Sequence, residues 1–266
     1  MNIDLLIGIG VLAALLPPVL LFLRAQPRRD GLFWVLLGAA VLISSGSALR
    51  LVMSAWHTGF STALWFSIAV SLIIFAILSA TTRQAWRLTP ILMPYLFLVG
   101  VIALFWLNAP ERLMLLSGGS WLLIHIAVSV LTYGLATLAA VGALGAFLQE
   151  RALKTKRPNL LTRQLPSVID SEVMSGWLLV ACEAVLGIGL LTGVATRQME
   201  GAPLFKIDHK TLLSLLSFVV IGGLLVAHKL TGMRGRVAAR LVLVGFLLLT
   251  LAYPGVKFVT DVILTK

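Results

Sequence analysis

Apolar runs of about 20 residues follow one another along this chain from end to end, separated only by short polar breaks. Residues 60–81, for example, contain no charged side chain at all. About 20 apolar residues in a helix span a hydrocarbon core of roughly 30 Å. A chain made almost entirely of such runs folds as a polytopic bundle of transmembrane helices. Composition agrees: 59% of residues are hydrophobic and 12% charged, against about 45–50% and 25% in soluble domains.

The runs divide into eight expected spans, 4–23, 31–53, 61–80, 89–107, 120–148, 172–195, 210–230 and 239–262. The first has Asp4 before it and arginines after it, the reverse of a secretory signal, so it reads as a retained span. Its Pro17–Pro18 pair is expected to kink it. The breaks after the odd-numbered spans hold 14 of the 21 basic residues, which assigns that side to the cytoplasm of a bacterial inner membrane and both termini to the external side. The expected organisation is one integral membrane domain over 1–266. Five anterior spans (1–148) join three posterior ones (171–266) through a cytoplasmic loop, 149–170.

The net charge of +11 is spread over these breaks, so it reads as a topology signal and not as a nucleic-acid surface. The expected partner is the lipid bilayer. A single cysteine, Cys182, rules out an internal disulfide or a CxxC pair. There is no nucleotide loop, HExxH zinc site or GxSxG elbow, and the chain is not expected to be an enzyme by itself. Glycines at 142 and 145, the GxxxG pair 189 and 193, and 222–223 are spaced for close helix contact. Packing within the chain is their expected use; a dimer face is the alternative, and oligomeric state stays open.

Four histidines carry most of the candidate chemistry: His57, His125, His209 and His228. His209 and His228 close the two ends of one span, 19 residues and so about 28 Å apart, and cannot share a ligand. His125 and His209 fall in the same leaflet. If spans 5 and 7 are neighbours, their imidazoles are placed to ligate one haem iron, with Trp56, Trp106 and Trp121 available to pack on the ring. The alternative is that such histidines hydrogen-bond at an interface and the tryptophans form an aromatic belt. Glu183 lies in the middle of span 6, where an ionised carboxylate costs at least about 2.5 kcal/mol unless it faces protein or water. A proton or ion path and a structural hydrogen bond are both open for it. Arg50, at a span end, can snorkel.

Three segments resemble the cytochrome c assembly protein family (CcsA/HemX/YpjD-like), and most closely its short YpjD-type members. They are "LLIHIAVSVLTYGLATLAAVGALGAFLQE", "LLTGVA" and "DHKTLLSLLSFVVIGGLLVAHKLTGMRGRVAARLVLVGFLLL". In the last, Asp208, Lys210, His228, Gly232, Arg234, Gly235 and Arg236 stand at positions of the family pattern, and His209 replaces its usual proline. The resemblance covers residues 65–262, with the first two spans alike only in hydropathy. It implies haem as a cofactor, with His125 as an outer-face haem-iron ligand and His228 as an intramembrane one, and membrane proteins of cytochrome biogenesis as partners. The synthases' tryptophan-rich outer segment is absent: "ATRQMEGAPLFKIDHK" has no Trp, and no histidine follows the last span. The resemblance therefore implies a haem-related or regulatory role, not a complete synthase. The alternative is a membrane transport component, or an accessory subunit of an ion transporter, that uses Glu183.

The charge asymmetry is tested with reporter fusions: one after Arg157 is expected to read cytoplasmic and one at Gly201 external. The opposite pattern at both sites reverses the orientation.

Overall fold

A computed structural model describes residues 3–23, 28–54, 59–107, 119–199, 209–233 and 235–263. The described chain is all-helical. Its helices are α1 (Ile3–Leu20), α2 (Gly31–Ser54), α3 (Phe60–Thr81), α4 (Thr89–Phe105), α5 (Gly119–Thr155), the short α6 (Leu160–Gln164), α7 (Val168–Met199), α8 (His209–Thr231), α9 (Arg236–Thr250) and α10 (Val256–Phe258). π-helical turns at Leu251–Gly255 and Val259–Ile263 carry the last span on either side of α10. In lipid every backbone N–H and C=O must find its partner inside the segment, and apolar runs of this length do so as helices.

Seven of these helices are long and apolar enough to cross a membrane, and the protein is a multi-pass membrane protein. The eighth apolar helix, α1, is shorter. It runs through Pro17 and Pro18, which deprive two carbonyls one turn back of their donors, and then tightens into a 3-10 turn at Leu21–Leu23.

The connection expected at 149–170 is largely helical. α5 continues to Thr155, α6 fills the middle, and α7 begins at Val168. The sequence "QERALKT" consists mostly of strong helix formers, so leaving the apolar zone does not end the helix. Asn159 then starts α6 with a capping box: its side chain accepts from Thr162 N–H (2.8 Å) while its own N–H donates to Thr162 Oγ1 (3.0 Å).

Helices α1–α4 pack on one another, and α5, α7, α8 and α9 form a second group; α5 also packs on α3. The closest association is α5 with α7, where small residues line both helices. A β-carbon at Gly142 would lie 3.3 Å from Ser175 Cβ and 3.4 Å from Ser171 O, and one at Gly189 would lie 3.3 Å from Val128. Ser175 Oγ donates across to Ala139 O (2.9 Å), and Cys182 Sγ donates to Thr132 O (3.6 Å). The small-residue spacing is thus used for packing within the chain.

Contacts at the two ends fix the up-and-down order. At one end Arg50 pairs with Asp4 (3.0 Å), and Phe60, Trp106 and Phe258 cluster. At the other, Gln164 Nε2 donates to Phe22 O (2.6 Å) and Arg29 to Thr82 O (3.3 Å).

Gly142→Leu is expected to overpack the α5–α7 contact and cost about 1–3 kcal/mol, read as a lower thermal midpoint in mild detergent. Gly38→Leu, where an added β-carbon meets nothing within 4 Å, is expected to leave that midpoint unchanged.

Candidate functional site

Two cavities open in the α5–α7–α8–α9 group, one toward each end, and each has one of the candidate histidines in its wall. The first holds about 210 Å³ and is lined by His125 and Tyr133 of α5, Arg197 of α7, Lys210 and Thr211 of α8, and Tyr253 of the π-helical turn.

His125 is oriented from α7. Its Nδ1 lies 3.1 Å from Thr192 Oγ1, and that hydroxyl donates its own proton to Gly189 O (3.1 Å). Thr192 therefore accepts from Nδ1–H, which leaves Nε2 as the lone-pair nitrogen, the form in which imidazole binds a metal. Gly193 makes room for the ring: a β-carbon there would lie 3.2 Å from His125 Cε1. The GxxxG pair thus has a second use, seating the histidine between the two helices.

All three tyrosines of the chain gather beside this cavity. Tyr95 Oη lies 3.1 Å from Tyr133 Oη, Tyr133 Oη lies 3.4 Å from Thr250 Oγ1, and the Tyr133 and Tyr253 rings stand 5.7 Å apart. The π-helical turn, which contains Pro254, carries Tyr253 into this group.

The second cavity is larger, about 520 Å³, and is walled by His228, Glu150, Glu172, Phe147, Trp177 and Met233 among others. Its histidine is set by the end of its own helix. Gly232, at φ +67°, caps α8 by donating to His228 O (3.0 Å). The chain then turns back, and Met233 O accepts from His228 Nδ1–H (2.6 Å). A carbonyl only accepts, so Nε2 is again the lone-pair nitrogen. The following turn is held by two carboxylates. Gly235 N–H donates to Glu172 Oε1 (2.8 Å), while Glu150 pairs with Lys154 and with Arg236 Nε (3.6 Å). Arg236, expected as a site residue, takes part in this ion pair.

The structure does not bring His209 to His125. The wall of the smaller cavity takes Lys210, Thr211 and Ser214 from α8, not His209, which lies exposed at the helix start. α5 and α8 face each other across this cavity, and each packs on α7 and α9. Trp106 is engaged with Phe60 and Phe258, and Trp121 is 43% exposed. Asp208, Arg234, His57 and Trp56 lie outside the described residues. Among the described residues no three His, Cys, Asp or Glu side chains come together as a metal site.

Glu183 stands on α7 between the levels of the two cavities and faces α8. A β-carbon at Gly222 would lie 2.8 Å from Glu183 Oε1, so the glycine supplies the space for the carboxyl. Glu183 Oε2 is buried without a hydrogen-bond partner.

Comparison with known proteins decides the family. The sequence pattern described as Cytochrome C assembly protein matches residues 32–264. The chain belongs to the cytochrome c assembly protein family. The match begins earlier than the resemblance from residue 65 indicated, and it takes in α2. The chain is 58% identical over 242 residues to an uncharacterized 28.8 kDa protein in the nifR3-like 5' region of Azospirillum brasilense, covering 89% of this chain and 88% of the relative. It is 27% identical over 198 residues, 73% of each chain, to the inner membrane protein YpjD of Escherichia coli K12. No solved structure matches.

In this family member the Gly-rich basic turn is a docked element. Gly235 has φ +70° and ψ −144°, a combination open almost only to glycine and costing other residues about 1–3 kcal/mol. Gly235→Ala is expected to lower the thermal midpoint and open the 232–236 turn to proteolysis, whereas Gly176→Ala, which has open space around it, is expected to do neither.

Proposed function

We propose that this protein is an inner-membrane haem-handling or regulatory member of the cytochrome c assembly family and not a complete synthase. One observation carries the reading. The two histidines that match the family pattern, His125 and His228, line separate cavities at opposite ends of one helix group, each with Nδ1–H bonded and Nε2 left to ligate. The family supplies haem as the group, and a haem iron takes imidazole nitrogen as an axial ligand.

The residues fit that group unequally. The larger cavity is of ligand size, within the usual range of about 300–1,000 Å³, and is walled mostly by apolar side chains. The smaller one would leave most of a macrocycle outside, with His125 as its one imidazole among the described residues. Among the described residues each cavity has one histidine in its wall. With α1 as an eighth span and the basic breaks on the cytoplasmic side, both termini are external, His228 belongs to the inner site and His125 to the outer.

A second reading, an accessory transport role through Glu183, rests on the unpartnered buried Oε2 midway between the cavities. A carboxyl that is stranded within the bilayer is a functional candidate by default.

Protein purified in mild detergent is expected to show a Soret band. His125→Ala and His228→Ala are each expected to lose the haem of their own end, with partial recovery on adding imidazole. Equal haem content in wild type and both variants removes the haem reading. Glu183→Gln is expected to retain haem; a Glu183→Gln protein with full haem and no function favours the transport reading.

A further inference from the structure

The packing of α8 on α7 gives way to the larger cavity partway along the pair. A β-carbon at Gly187 would lie 3.4 Å from Phe218, and one at Gly222 would lie 2.8 Å from Glu183 Oε1. Four residues down α7 is four residues up α8, so the helices run antiparallel, and this register sets Val180 level with Leu225 and Trp177 level with His228. All four of those residues stand in the wall of the larger cavity. A β-carbon at Gly176, in the same stretch of α7, would meet nothing within 4 Å. The two helices therefore diverge from the Glu183–Gly222 contact onward, and the cavity is the gap between them. Its floor belongs to α5 and α9, which offer Ala143, Ala146 and Ala239.

The gap faces the bilayer. Val173 (53%), Trp177 (74%) and Val180 (50%) border the cavity and are exposed as well, and all three lie in an apolar span. Side chains that border a cavity and the protein surface at once mark its mouth. Phe147, on α5 at the back of the cavity, is half-buried. At the end that holds His228, Met233 and Gly235 of the docked turn form the wall, with Gly235 N–H bonded to Glu172. Size selects the class of occupant. From Ile169 to Val180 the lining face of α7 rises about 17 Å, and a helix of that length fills about 1,300 Å³. The cavity holds about 520 Å³, so it takes a small molecule and not a partner helix. An apolar molecule dissolved in lipid loses no hydrophobic stabilisation on entering such a gap, and His228 Nε2 offers it a bond that lipid does not.

We propose that the larger cavity is loaded sideways from the bilayer, between α7 and α8 and past Trp177, and that its occupant is haem dissolved in the lipid. The choice of haem rests on the function proposed above; the lateral mouth does not.

Two measurements on the full-length protein in bilayers separate the mouth from its occupant. A phospholipid carrying a diazirine midway along one acyl chain is expected, on illumination, to label Phe147 in wild type. Gly176→Phe, which puts a ring into open space at the mouth, is expected to lose that label, and Val173→Trp serves as a second block should the first variant fold poorly. Gly38→Phe, on α2, where an added β-carbon also meets nothing within 4 Å, is expected to keep it. No label at Phe147 in wild type, or label undiminished in both blocking variants, overturns the proposal. The second measurement follows the Soret band as haem passes from donor vesicles to protein with His125→Ala in its background, so that only the His228 end reports. Trp177→Ala, which widens the mouth, is expected to take up haem faster than its parent, and Gly176→Phe more slowly. Uptake at the parent rate in both variants overturns entry through the mouth. No uptake at all, with Phe147 labelled, overturns haem as the occupant together with the function that names it, and leaves a lateral mouth filled by lipid chains.

Discussion

Everything around the two cavities depends on how closely α5 approaches α7. Lipid gives helices no hydrophobic reason to associate, so the approach is driven by dispersion contacts and a few interhelical hydrogen bonds, both of which need small side chains at the contact. Gly142 against Ser175, Gly189 against Val128 and Gly193 against the His125 ring meet that need at points along the helix pair. Ser175 and Cys182 add bonds to α5 carbonyls in between. The same contact that holds the pair together aligns Thr192 with His125, so stability and the histidine's tautomer come from one interface.

The two ends of the helix group hold their histidines by different means, and this bears on what each can do. His125 is fixed across an interface by a side chain on another helix, and its setting changes only if α5 and α7 shift. His228 is fixed by the carbonyl of a residue five positions on, within a turn that is itself held by Glu150 and Glu172. A movement of α8 or α9 that loosens this turn frees His228 without disturbing His125. The two imidazoles can therefore respond to separate conformational events in the same molecule.

The span pattern was legible because hydrophobic length is a property of the local sequence, and the observed helices follow the expected runs within a few residues through most of the chain. Where they depart, as in the extension of α5 to Thr155, the residues are charged yet good helix formers, and hydropathy alone does not separate a polar helix from a loop; the early start of α7 is set instead by Ser167, whose Oγ accepts from Asp170 N–H (3.1 Å). His125 and His228 were legible from their positions in spans and from the family pattern. Their partners were not: Thr192 lies 67 residues from His125, and nothing local marks Glu150 or Glu172 as anchors for a glycine turn far along the chain. That the cavity beside His125 takes Lys210 and not His209 in its wall was not legible for the same reason, since leaflet depth can be counted along a helix but lateral neighbours cannot.

The bond from Gln164 to Phe22 O joins residues 142 positions apart, and it has a consequence for how the chain is made. The Phe22 carbonyl, in the turn that follows α1, gains this partner only after α6 has been synthesised. Gly8 and Gly100 likewise show that α1 seats against α4, with Leu104 over Gly8 and Leu12 over Gly100. Helix α1, made before α6, thus waits for α6 to complete its contacts. Until residue 164 emerges from the ribosome, α1 remains an unfinished element, exposed to whatever quality control inspects nascent membrane proteins.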